Sequence, residues 1–215
     1  MRQLFKLAAF AIVLIVLSAC GNNGQGTTLE IKTSKGDITV LLFDETPKHK
    51  ENFIKLAKED YYAGTLFHRI VKDFMIQGGD PNSKGAGPNV PLGGGGPGYL
   101  IDAEIGQPHL RGALAAARTN NPQKASSGSQ FYIVTGVKQS EATLNQYENM
   151  KGIKYSEAQR KSYMEEGGRP DLDMEYTVFG QVLTGMEVVD AIAGVQTGRA
   201  DRPVEDVVIE SVSVR

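Results

Sequence analysis

The chain has 215 residues, with 23 Lys+Arg against 25 Asp+Glu, 25 glycines, one cysteine and no tryptophan. That length suits one large domain with appendages, and a formal net charge of −2 offers no basic face for nucleic acid. The lone cysteine excludes an intramolecular disulfide, a CxxC redox pair and a cysteine metal cluster.

Arg2 and Lys6 precede an uncharged apolar run, Leu7 to Leu17. This run is too short to span a bilayer, which takes ~20 residues, but it suits the central region of an export signal. Its end, Leu17-Ser18-Ala19-Cys20, resembles the lipobox of bacterial lipoproteins, which implies that Cys20 is acylated and becomes the first mature residue. An ordinary signal peptide with an incidental cysteine is the alternative. Residues 1–19 are thus expected to be a signal peptide and 20–27 a polar, glycine-rich tether, leaving 28–215 as the folded domain. Loss of 1–19 removes two cations and no acid, so the mature net charge is −4.

Leu29–Thr33 and Ile38–Phe43 carry apolar residues around Ser34-Lys35-Gly36-Asp37, which predicts an opening β-hairpin with Gly36 in its turn. Thr46 and Pro47 supply an N-cap and a first-turn proline. Phe53, Leu56, Ala57 and Tyr61 then repeat at helical spacing, so a helix is expected to end near Tyr61. Phe67–Asp80, FHRIVKDFMIQGGD, sets one obligate cation, Arg69, beside Phe74, Met75 and Gln77 before breaking at Gly78-Gly79. As extended chain it would wall a pocket in which a guanidinium meets a polar acceptor; a surface strand with a salt-bridged arginine is the plainer alternative.

Ser83–Gly98 is an irregular Gly/Pro loop. Its GGGGPG satisfies GxGxxG but lacks the strand and helix that make that pattern a phosphate cradle. Gly112–Arg118 and Gln130–Val134 read as strands flanking a polar loop, Thr119–Ser129. Thr177–Leu183 is another strand, Met186–Ala193 a short helix and Val207–Val214 a closing strand. Between Val137 and Arg169, charged and glutamine-rich sequence around Gly152 reads as a helical insertion. Its sparse apolar positions predict an exposed hood without catalytic groups. Many short strands and two helices make the fold mainly β, a closed barrel with end caps.

Three separated segments, FHRIVKDFMIQGGD, SGSQFYI and YTVFGQVLTGM, resemble signature segments of the cyclophilins, the peptidyl-prolyl cis/trans isomerases, over about Leu29 to Val214. The resemblance implies a closed eight-stranded antiparallel β-barrel capped by two α-helices. It also implies isomerisation of X-Pro bonds in unfolded or partly folded exported proteins, with no cofactor, metal or covalent intermediate. By the same resemblance Arg69 donates to the prolyl nitrogen, and Phe74, Met75, Tyr132 and Leu172 surround the ring. Gln77 and Gln130 hold the substrate backbone, as does the main chain of Arg118, flanked by Ala117 and Thr119.

Apart from the resemblance, Phe74, Met75 and Leu172 read as plain barrel core. Asp171 stands where some cyclophilins have tryptophan and Tyr176 where a histidine is frequent, which implies an altered rim and retained activity. His49, His68 and His109 are too dispersed for a metal set, and no serine sits in a GxSxG elbow. The leader and the domain together predict a monomeric isomerase, lipid-anchored in the bacterial cell envelope, periplasmic or outer-membrane associated. The rival is an anchored module or chaperone that binds proline segments, with isomerisation incidental.

Overall fold

The computed structural model describes residues 26–215; the expected signal peptide, Cys20 and tether residues 20–25 lie outside the described residues. The chain opens with the expected hairpin, β1 (Thr27–Thr33) and β2 (Gly36–Leu42). Its register sets Leu29 against Val40 and Ile31 against Ile38, so the period-2 apolar set lies on one buried face. Gly36 takes φ +130° at the turn, a conformation that favours glycine.

Helix α1 (Pro47–Lys58) stops short of Tyr61 and begins differently from expectation. Thr46 makes no side-chain capping bond. The first-turn amides of Lys48 and His49 instead donate to the two carboxylate oxygens of Glu104, at 3.1 and 3.0 Å. An anionic acceptor from a distant loop both satisfies orphan N–H groups and complements the helix dipole.

The stretch read as one extended wall is a broken strand and a tight hairpin. After β3 (Thr65–Leu66), β4 (Arg69–Val71) turns back into β5 (Met75–Gly78), with Arg69 directly opposite Gln77. The reversal falls on Lys72-Asp73-Phe74, with Asp73 at φ +60°. A single helical turn, Pro81–Ser83, leads into the glycine-rich loop. There follow β6 (Leu100–Ile101), β7 (Ala113–Ala116), β8 (Ser126–Ser127) and β9 (Phe131–Val134). Next come helices α2 (Glu141–Lys151) and α3 (Glu157–Glu165), then β10 (Val178–Thr184), α4 (Met186–Ala193) and β11 (Val208–Val214).

Nine strands form one antiparallel sheet in the order β3-β11-β1-β2-β10-β7-β9-β5-β4, with β6 and β8 paired separately. The two edge strands, β3 and β4, are separated in the chain by Phe67 and His68 alone. The sheet therefore curls until its edges are consecutive pieces of one segment, which differs from eight strands closed by a ladder. Inside the curl lies the main core, with Phe53, Phe67, Phe131 and Phe179 among the strand aliphatics and α1 and α4 packed on it.

Alternation along β5, β7 and β9 sends Ile76, Leu114, Ala116, Phe131 and Ile133 inward. The intervening Met75, Ala113, Ala115, Tyr132 and Val134 go to a second cluster on the outer face, with Phe74, Leu172 and Tyr176 against it. The predicted hood is a small folded unit with a core of its own. Leu144, Tyr155 and Tyr163 are buried together, with Leu110 and Ile153 against them. Helix α2 is capped by Ser140 and stopped by Gly152 at φ +65°, and α3 opens with a reciprocal Ser156/Gln159 capping box.

Candidate active site

The second cluster is the floor of a cavity. On the β4–β5 hairpin, Ile70 and Ile76 point into the core, which turns Arg69, Met75 and Gln77 to the other face. Tyr132 pairs with Gln77 on one side and Ala115 on the other, and the alanines of β7 leave its ring room. Phe74, from the hairpin turn, and Leu172 and Tyr176, from the segment after the insertion, stand around it. Arg69, Phe74, Met75, Gln77, Ala117, Arg118, Tyr132, Leu172 and Tyr176 together line a cavity of about 120 Å³.

A second cavity of about 400 Å³ adjoins it, lined by the glycine-rich loop with Thr119 and Gln130, and shares Gln77, Ala117 and Arg118 with the first. The candidate site residues expected in the described chain thus all border two joined cavities.

Several of these side chains have partners that the sequence does not reveal. Arg69 donates through Nε to Asp201 at 3.2 Å, and its guanidinium lies 5.9 Å from the centre of the Phe74 ring. Asp201 and its neighbour Ala200 both have φ +58°, a strained backbone for residues other than glycine. Gln130 donates to the carbonyls of Gly93 and Gly95, at 3.0 and 2.7 Å, and accepts from Gln77 at 3.1 Å. Its amide thus fixes the glycine-rich loop, and Gln77 keeps its own carbonyl oxygen for another donor. The opposite anchor of that loop is buried Asp80, which accepts from the amides of Asn82, Gly93 and Gly95.

Arg118 lays its side chain onto the carbonyl and carboxylate of Glu175 and the face of Tyr176. Its main-chain N–H and C=O pair with nothing among the described residues, while those of Ala117 bond to Gln130 and Ser127. At the rim, Asp171 grips Arg169 through two hydrogen bonds, at 2.8 and 2.7 Å. Burial alone would raise the Asp171 carboxyl, but this guanidinium holds it below the usual range. Arg169 in turn lies 4.0 Å from the centre of the Phe74 ring, so a planar cation covers an aromatic face.

The phenol of Tyr132 is pushed well above its ordinary value by burial, with Tyr176 adding to it, so it remains a neutral donor. Asp201, Arg169 and the His109–Asp173 pair behind Tyr132 are the functional neighbours that sequence reasoning missed. Each acts across a long separation in the chain or from a loop without a motif.

With this geometry in place, the similarities to known proteins are coherent. The family model for cyclophilin type peptidyl-prolyl cis-trans isomerase/CLD matches residues 28–214. A candidate peptidyl-prolyl cis-trans isomerase of Staphylococcus haemolyticus is 41% identical over 183 residues, 85% of this chain and 88% of that protein. A candidate bifunctional phosphatase/peptidyl-prolyl cis-trans isomerase of Streptococcus pyogenes is 43% identical over 197 residues; that match takes in 89% of this chain and 39% of that longer protein. A solved cyclophilin type isomerase of Cryptosporidium parvum superposes with a TM-score of 0.66 at 26% identity, over 88% of this chain and 98% of its own. The same protein was also solved in the presence of the dipeptide Ala-Pro and superposes with a TM-score of 0.64.

The chain belongs to the cyclophilin-type peptidyl-prolyl cis-trans isomerases. Its activity is peptidyl-prolyl cis-trans isomerisation, on a mainly β fold with a strongly curled antiparallel sheet.

Proposed function

We propose that isomerisation takes place in the cavity between Arg69 and Tyr132, without a covalent intermediate, on proline-containing segments of exported polypeptides. The barrier is amide resonance, ~18–20 kcal/mol, and it falls if the prolyl nitrogen's lone pair is held by a donor as the bond twists. Arg69 can supply that donor at any physiological pH, since a guanidinium does not deprotonate.

Met75, Phe74, Tyr132 and Leu172 offer the ring a water-poor seat, and the free main-chain groups of Arg118 and the amide of Gln77 can hold the flanking backbone. The single observation that carries this reading is the pairing of Arg69 opposite Gln77 on the rim of that seat. Arg69→Ala, assayed on a proline tetrapeptide, tests it. Retained activity in the folded variant would overturn the role of Arg69 and leave the mechanism to the pocket alone, whereas no isomerase activity in the wild-type domain would favour the rival, an anchored binding module.

The finer points of the reading are ours as well. We treat Thr65–Val71 as one strand interrupted at Phe67 and His68, which makes the sheet an eight-stranded closed barrel. We assign Cys20 as a lipid anchor that holds a monomeric domain in the bacterial cell envelope, on the strength of the apolar run ending in Leu17-Ser18-Ala19-Cys20. Detergent partitioning of the wild type and Cys20→Ser tests the anchor: release of the variant alone supports it, and equal partitioning overturns it.

A further inference from the structure

The insertion between β9 and β10 is wired into the ring cavity. Asp173 immediately follows the cavity residue Leu172 and is 3% exposed. One of its carboxylate oxygens accepts from the backbone N–H of His109 at 2.7 Å and faces His109 Nδ1 at 2.9 Å. The other accepts the hydroxyls of Tyr155 and Tyr163, both at 2.6 Å. Those tyrosines belong to the insertion's own core, and neither His109 nor Tyr163 has any exposed surface.

A carboxylate has about four lone-pair directions, and here all are taken. Because it only accepts, Nδ1 of His109 must carry a proton. Nε2 then meets the hydroxyl of Tyr132 on the cavity floor at 3.0 Å. Lys151 of α2 adds a second tie, donating to the carbonyls of Asp171 and Asp173 on either side of Leu172.

We propose that Tyr155 and Tyr163 are positioning residues for the isomerase site, acting through Asp173 and His109 to hold Tyr132 against the prolyl ring. The chain of hydrogen bonds is buried from end to end, so loss of either tyrosine hydroxyl leaves the Asp173 carboxylate one bond short where water does not replace it. A phenylalanine at 163 keeps the ring and its packing, and removes only the hydroxyl. The inference deepens the assignment of the cavity and rests on it.

The test is a double-mutant cycle on the full chain, with kcat and KM measured on a proline tetrapeptide for Tyr163→Phe, Tyr132→Phe and the pair. One buried hydrogen bond corresponds to a fall in kcat/KM of about three- to tenfold for Tyr163→Phe, carried mostly by KM. In the Tyr132→Phe background the same change should add almost nothing, since the hydroxyl it acts through is already gone. Tyr155→Phe should behave likewise, and the exposed Lys161→Ala on α3 should match the wild type.

Imidazole ¹⁵N resonances give a second readout that a merely structural role would not move. Those of His109 should shift in Tyr163→Phe while the fold, judged by circular dichroism, is kept. Equal losses in both backgrounds, or wild-type kinetics in both phenylalanine variants of the insertion, would overturn the coupling. Arg69→Ala measured alongside separates the two failures: if it is inactive, the cavity assignment stands without the coupling, and if it is fully active, the assignment itself falls.

Discussion

At the scale of single residues, the site is a set of polar groups each held by one neighbour. Arg69 and Asp201 are each about half exposed, with side-chain exposures of 41% and 48%. Exposed pairs contribute ~0.2–1 kcal/mol, so Asp201→Ala should lower kcat/KM by no more than about fivefold. A loss of two powers of ten in the tetrapeptide assay would instead place Asp201 in the chemistry. Arg169, held by Asp171, covers the face of Phe74. A solvent-facing cation–π contact contributes ~0.5–1 kcal/mol, so Arg169→Ala should raise KM by about two- to fivefold and leave kcat alone. Steady-state kinetics would show it, and an unchanged KM would mean that the guanidinium only shields the ring from water. The sequence motif exposed Arg69, Phe74 and Met75 because they lie in one contiguous segment. It could not expose Asp201, which reaches Arg69 across 132 positions from a turn whose strained residues, Ala200 and Asp201, are not glycine.

Among elements, composition marks both the glycine-rich loop and the insertion, but it reveals different amounts of each. The loop was legible as irregular, yet its order was not, because its anchors are side chains outside it, Asp80 and Gln130. A Cβ on Gly95 would lie 2.1 Å from Asp80 Oδ1 and 2.8 Å from Asn82 Nδ2. Gly95→Ala should therefore displace the loop and raise KM more than it lowers kcat, with thermal stability down by ~1–3 kcal/mol. Unchanged KM would mean that the second cavity does not bind the peptide. The insertion's composition reads as a solvated hood because tyrosines count little as apolar. Tyr155 and Tyr163 become core only because Asp173, outside the expected insertion, accepts their hydroxyls.

Within the same insertion, Glu148 joins Lys154, the amide of Tyr155 and Arg160. The hydrogen bond from Lys154, with that of the Tyr155 amide, lowers its carboxyl to about 2. A depressed acid stabilises fully above its unfolded pKa, ~4.5, and the contribution is lost as pH falls towards 2. Acid unfolding followed by tyrosine fluorescence should show wild type above Glu148→Gln at pH 6, with the gap closing below pH 3. A constant gap would contradict the pairing.

For the whole molecule, the curl of the sheet decides where the chemistry sits, since it turns alternate residues of β5, β7 and β9 into a core and a site. The alternation in Leu29–Thr33 and Ile38–Phe43 made the first hairpin legible. The β4–β5 reversal was hidden because its left-handed residue is Asp73 and no glycine marks it. Nor could composition show that the insertion's helices bear on the ring cavity. Burial also sets the acid response of the fold. It lowers His49, against the pull of Glu104, and it lowers His68. Both imidazoles take up a proton less readily when folded, so the unfolded chain binds protons first as pH drops below ~6.5. Stability should therefore fall from that point downward, with denaturant midpoints decreasing between pH 7.5 and 5.5 at constant slope. A flat profile across that window would show that neither histidine is held neutral.

The most direct test of the central claim is the rate of tetrapeptide isomerisation by Arg69→Ala in a chain shown to be folded. A charge-assisted hydrogen bond contributes ~1.5–3 kcal/mol, so kcat/KM should fall by about one to two powers of ten, with Arg69→Lys recovering only part. Near wild-type kcat/KM in folded Arg69→Ala would contradict the account and leave catalysis to the apolar cavity alone.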